Sequence, residues 1–126
     1  AYYAEVTKNA TGALKAESLY YNAFFKNKEK AYESSNKIVQ KLIADYSAYK
    51  YWGVKSYIIM AKNYDGLEDA YQATYVLENI IENFKEFDDV IVEAQTTLDK
   101  IKANEAKINR SVKQEEEIPT EEKTKN

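Results

Sequence analysis

The chain contains no cysteine and no histidine among its 126 residues. That double absence excludes disulfides, thiolate nucleophiles, Cys/His zinc sites and the commonest general base. It does not assign a compartment, because proteins on either side of a membrane can do without cysteine. Arginine occurs once, at Arg110, and the net charge is −3 with a pI near 5.1. No basic stripe is present to neutralise phosphates, so nucleic acid is not an expected partner. No stretch approaches the roughly eighteen apolar residues of a bilayer span, so none is expected. Proline is confined to Pro119 and glycine to Gly12, Gly53 and Gly66. The segments between them are rich in Ala, Leu, Lys and Glu, a composition that favours helix.

A hydrophobic share of 44% with 31% charged residues is that of an ordinary globular domain, and at this length it points to one compact unit. The opening AYYAEV, with no initiator Met and no charged-then-apolar leader, reads as a piece of a longer precursor. Residues 1–9 read as the end of a helix, broken at Thr11 and Gly12 before a second helix over 13–28. A third is expected over 31–45, where Tyr32, Ser35, Val39, Leu42, Ile43 and Tyr46 recur at three- and four-residue spacing. A fourth is expected over 52–63 and a fifth over 69–84, with Ala70, Ala73, Leu77, Ile80, Ile81 and Phe84 on its inner side. Asp88 and Asp89 suit the start of a last helix whose Val92, Leu98, Ile101 and Ile108 carry its apolar spacing. From residue 113 onward periodicity is lost, and a disordered polar tail over 113–126 is expected.

Sliding the chain along itself until Ala23 falls on Ala61 also places Leu19 on Tyr57, Val39 on Leu77, Leu42 on Ile80, Ile43 on Ile81 and Tyr46 on Phe84 without a gap. A fixed period over a helix pair is the mark of a repeat architecture, in which each pair leaves an apolar face that only the next pair covers. Small residues are needed where helices approach most closely, and Ala61 and Ala73 occupy those positions. Tyr57, Met60, Tyr64, Leu77 and Ile80 are expected to interlock around them.

The second pair, KSYIIMAKNYDGLEDAYQATYVLENIIENF, resembles a tetratricopeptide repeat in its order of aromatic, small residue, aromatic, acidic turn and inner alanine. Its phrases YKYWGVKSYIIMAKNY and DAYQATYVLENIIENF are similar to the C-terminal repeats of large tetratricopeptide proteins of the Bacteroidetes cell envelope. The resemblance covers residues 12–110 and implies an all-α superhelical solenoid of stacked antiparallel hairpins, over 12–46 and 53–86, closed by a capping helix over 88–112. The domain as a whole would run from 1 to 112. The first pair departs from the family pattern in Asn22, Lys26 and Ser35, and Ser47 and Lys85 stand where the family's proline is usual. The 38-residue spacing also exceeds the usual period of about 34, an excess assigned to an inserted turn in SAYKYWG.

The resemblance further implies a groove lined by the first helix of each pair, with Tyr20, Phe24 and Asn27 followed by Ile58, Lys62 and Asp65, open to a peptide or helix of a protein partner. It implies a periplasmic or outer-membrane-associated location. The bland reading of Tyr20 and Phe24 is plain core packing on residues 1–9. YDGLED gathers three carboxylates but lacks the alternating oxygen ligands and closing glutamate of a calcium loop, so it reads as a turn in which Gly66 takes a positive φ and Asp69 starts a helix. Asp88, Asp89 and Glu93 offer a carboxylate pair at helical spacing with no accompanying nucleophile, and their place at a helix start explains them as dipole partners. Asn9 and Asn109 head glycosylation sequons that count only in a secretory setting. No cofactor, metal or catalytic residue is expected. The function expected is therefore a non-catalytic protein-binding scaffold; the alternatives are a structural cap closing a longer solenoid, and a small-molecule or glycan binder using the twelve tyrosines.

Overall fold

The computed structural model describes the backbone of residues 2–125 and the side chains of residues 11–113. The described residues are all-α: α1 Tyr2–Lys28, α2 Tyr32–Asp45, α3 Lys50–Gly66, α4 Ala70–Asn83 and α5 Asp88–Lys125. Each helix packs on its neighbours in sequence, and α3 also touches α1 and α5. The side chains of the expected tail from residue 114, and of Asn9, lie outside the described residues.

The 38-residue recurrence seen in the sequence is a recurrence of backbone geometry. α2 and α4 are both 14 residues long, and they begin at the equivalent positions Tyr32 and Ala70. α1 ends in a loop where Lys30 N–H donates to Asn27 C=O and Ala31 N–H to Lys26 C=O. At the end of α3, Glu68 N–H donates to Asp65 C=O and Asp69 N–H to Tyr64 C=O. This pattern closes a helix by turning one residue into the left-handed region, and that residue is Lys30 in the first case and Glu68 in the second, both at φ 64°. Gly66, expected at positive φ, is not there, since no glycine has positive φ among the described residues. Asp69 caps α4 as expected, its carboxylate accepting from Gln72 N–H at 3.2 Å.

Three boundaries differ from expectation. The break at Thr11 and Gly12 is absent, because α1 runs through both. A single glycine weakens a helix by about 1 kcal/mol relative to alanine without stopping it. Gly12 is instead a seat for another side chain: a Cβ there would collide with the ring and hydroxyl of Tyr49, just as one at Gly66 would collide with the ring of Tyr32. Of SAYKYWG, only Ser47 to Tyr49 lie in a turn, and α3 begins at Lys50 instead of Trp52. Lys50 to Gly53 form the first turn of α3, and the connectors are the short segments 46–49 and 84–87. At the far end, the backbone of α5 continues as helix to Lys125, through the stretch expected as an unstructured tail. Its Lys, Glu and Gln residues are good helix formers even where no apolar period remains.

Two apolar clusters hold the helices together. Tyr20 and Ala23 of α1, Val39 and Leu42 of α2, and Ile59 and Met60 of α3 form one. Val54, Ile58 and Ala61 of α3, Ala73, Leu77 and Ile80 of α4, and Val90, Ala94, Leu98 and Ile101 of α5 form the other. Tyr57 and Tyr64 lie against both, so the clusters are joined through α3. In α5 the expected apolar set is half right: Leu98 and Ile101 are buried, whereas Val92 and Ile108 are exposed. Val90 and Ala94 take the inner places, because the face turned to α3 and α4 begins at Val90.

Candidate functional site

A concavity of about 820 Å³ lies where the C-terminal ends of α1 and α3 meet the first half of α5. It contains Asn27, Lys62 and Asp65 of the six groove residues expected from the sequence, together with Glu93, Thr96, Thr97, Lys100, Asn104 and Lys107 of α5. The other three candidates fall elsewhere. Ile58 is fully buried, 0% exposed, in the α3–α4–α5 cluster and cannot meet a partner. Tyr20 is buried between Tyr21 and Trp52, with ring centroids at 5.1 and 5.5 Å. Phe24 is half-buried and carries the Lys28 ammonium 5.2 Å above its ring. The reason is axial: Tyr20 and Ile58 occupy equivalent positions four residues ahead of Phe24 and Lys62, about 6 Å away along the helix axis, where neighbouring helices cover them.

The contribution of α5 is missing from the expected groove, yet its signal is present in the sequence. A second slide by the same amount carries Lys62 to Lys100, Asp65 to Ala103 and Ile58 to Thr96, and all three of these α5 residues line the concavity. Taking α5 only as a cover for the last pair stops the comparison before it reaches these positions.

The chemistry of the concavity is polar and cationic. Four lysines, Lys28, Lys62, Lys100 and Lys107, face two carboxylates, Asp65 and Glu93, in a chain whose net charge is −3. Lys62 and Glu93 approach to 3.8 Å across α3 and α5. Asn27 is held from behind: its amide donates to Asn63 Oδ1 at 2.8 Å, and the buried Asn63 in turn donates to Ser35 Oγ and Asn36 Oδ1, both at 2.8 Å. Ser35 Oγ donates to Ala23 C=O at 2.7 Å. This chain of bonds satisfies every buried polar atom on it and fixes Asn27 at the mouth of the groove.

No family model, curated protein or solved structure matches the chain. The carboxylates singled out from the sequence include two that are engaged: Asp89 accepts from the Tyr51 hydroxyl at 2.5 Å, and Glu93 pairs with Lys62. Nearby, the Lys55 ammonium sits 5.0 Å from the ring centre of Tyr20, 5.7 Å from Tyr51 and 5.6 Å from Trp52, so one lysine of the protein itself occupies the faces of three rings.

The hydrogen bond to Asp89, aided by burial, pushes the Tyr51 phenol up to about 12, and the same bond holds the Asp89 carboxyl below the usual carboxylate range. Burial, with Glu93 close by, raises the Tyr20 phenol still further. The signs are opposite in consequence. The Asp89 contribution to stability is present above the ordinary carboxylate pKa of about 4 and is lost as pH falls through its lowered value. The Tyr51 contribution is present below the ordinary phenol pKa of about 10 and is lost as pH rises toward about 12. Tyr51→Phe is expected to lower the melting midpoint near neutrality, where both contributions are present, and to change it least at the acid and alkaline ends, so that the pH profile flattens. Midpoints measured from pH 2 to 11 check this, and an unchanged alkaline limb counts against the bond.

Proposed function

We propose that the chain is a non-catalytic, tetratricopeptide-like scaffold whose α1–α3–α5 concavity docks an acidic segment of a protein partner. The observation that carries this reading is the excess of lysine over carboxylate in a concavity built by three helices related through the 38-residue shift. A cationic groove in an acidic chain attracts carboxylate-rich segments and orients them through complementary potential. The helices provide a rigid wall, so the groove presents its lysines without reorganisation. Stacking of the helix pairs as a solenoid, and the envelope location implied by the resemblance, belong to the same proposal. Cell fractionation addresses the location.

Lys100→Glu combined with Lys107→Glu tests the groove. Both side chains are exposed, so the fold is expected to be unaffected. Affinity for an acidic segment is expected to fall at least about tenfold, equivalent to roughly 1.4 kcal/mol, and the parent's binding, unlike the variant's, is expected to weaken with added salt. Equal capture by the parent and the double variant removes the groove reading.

A second reading, closure of a longer array, has its own support. The positions of Val54, Ile58 and Ala61, which α3 buries against α4 and α5, fall in α5 on Val92, Thr96 and Asp99, all exposed. Thr96 and Asp99 make this face of α5 more polar than its counterpart on α3, as an end cap requires. The two readings are compatible, since α5 can close the array on one side and line the groove on another. Small-molecule capture by the tyrosines is weakened by Lys55, which occupies the faces of Tyr20, Tyr51 and Trp52.

A further inference from the structure

Each of α1, α3 and α5 carries the same five-position face, recurring at the spacing of the repeat. In α3 it is Trp52, Ser56, Ile59, Met60 and Asn63, which are covered by α1 and α2; all but the half-buried Trp52 are buried. In α5 it is Val90, Ala94, Thr97, Leu98 and Ile101, all buried against α3 and α4. In α1 it is Leu14, Ser18, Tyr21, Asn22 and Phe25, all exposed, with Leu14 at 65%, Tyr21 at 43% and Phe25 at 58%. The three large apolar groups of this face are the ones an ordinary surface helix would bury. Among the described residues, nothing covers them as α2 covers α3.

We infer that this face of α1 is the seat of one more helix pair with the same inner-face pattern, supplied by the same polypeptide ahead of α1, whose first ten residues, 2–11, extend beyond the repeat register that starts at Gly12. The argument is continuity with two interfaces already in the molecule. In both, the cover is the pair directly preceding in sequence, and it presents a bulky group, an alanine, a small residue, and two branched aliphatics. These are Tyr20, Ala23, Ser35, Val39 and Leu42 in the first cover, and Ile58, Ala61, Ala73, Leu77 and Ile80 in the second.

The face itself selects between these two covers. Ser35 in the first faces Asn63, its hydrogen-bond partner, whereas Ala73 in the second shares its cluster with Ile101. The corresponding residue on α1 is Phe25, which has no polar atom to meet a hydroxyl. The expected cover is therefore of the second kind, with alanine at the small position. A second copy joined end to end is a poor occupant, because the outer face of α5 offers Thr96 and Asp99 where Ile58 and Ala61 stand in the working cover.

The test compares the full chain with a version in which residues 1–11 are replaced by a copy of residues 50–87, which brings the second kind of cover into register with Gly12. A single unfolding transition is expected, with a midpoint about 5–10 °C above that of the full chain. Phe25→Glu is expected to abolish that rise in the extended chain while leaving the midpoint of the full chain unchanged. Sedimentation of the full chain is expected to show a monomer. Two separate transitions, no rise, or failure of the extended chain to fold overturns the inference. So does a dimer of the full chain that Phe25→Glu dissociates, which would make a second copy the occupant.

Discussion

Ala73→Leu is expected to destabilise the protein by about 1–3 kcal/mol, the usual result of forcing extra methylenes into a filled interior. Ala73 has no exposed surface and stands in the first turns of α4 among Val54, Ile58, Ala61 and Leu77. Leucine is nearly as good a helix former as alanine, so α4 itself is not weakened and the loss reports packing alone. In a chain of this size each kcal/mol lowers the melting midpoint by roughly 4 °C. Ala106→Leu on the exposed side of α5 serves as the control and is expected to change the midpoint by no more than a few degrees. Because Tyr57 and Tyr64 bind the two clusters through α3, the loss is expected in one transition, not as separate melting of one half. A midpoint equal to that of the parent would mean that α3 and α4 do not approach most closely at Ala73.

The helices were legible because their apolar positions recur at three and four residues, and α2 and α4 came out within a residue or so of their observed limits. The 38-residue shift was legible for the same reason, since burial imposes the same residue character at Val39 and Leu77 or at Leu42 and Ile80. What escaped was information carried by contacts between distant residues. Gly12 looks like a helix breaker until the ring of Tyr49 is seen against it, and Gly66 looks like a turn glycine until Tyr32 is placed. A left-handed residue is usually sought as glycine, yet the two here are Lys30 and Glu68, and only their hydrogen bonds across the helix ends reveal them. Half of the residues that the resemblance implied for a groove, Asn27, Lys62 and Asp65, line the concavity. The misplaced members, Tyr20 and Ile58, lie one helical turn nearer the middle of the helices, on the same side but about 6 Å along the axis, where packing against neighbouring helices buries them.

Ser35 shows how a departure from the repeat pattern becomes intelligible in three dimensions. In the sequence it stands where an inner alanine belongs, and its counterpart one repeat further on is Ala73. Its partner Asn63 has as counterpart Ile101, so a polar pair at one junction answers an apolar pair at the other. Ser35→Ala alone leaves one N–H of the buried Asn63 amide without its acceptor, at an expected loss of about 1–3 kcal/mol. Asn63→Ile alone deprives Asn27 and Asn36 of their partner and sets a larger side chain against the Ser35 hydroxyl, with a loss of similar size. The double variant reproduces the Ala73 and Ile101 combination and, with Asn27 and Asn36 still lacking Asn63, is expected to recover about half of the summed losses, giving a coupling energy of about 1–3 kcal/mol. Denaturant unfolding of the four proteins measures this cycle directly. Additive losses would show that the two junctions are not interchangeable solutions of one packing problem. Recovery of stability would also separate fold from function: with Asn63 gone, Asn27 loses the bond that fixes it at the groove mouth, so the stable double variant is expected to bind an acidic segment more weakly than the parent.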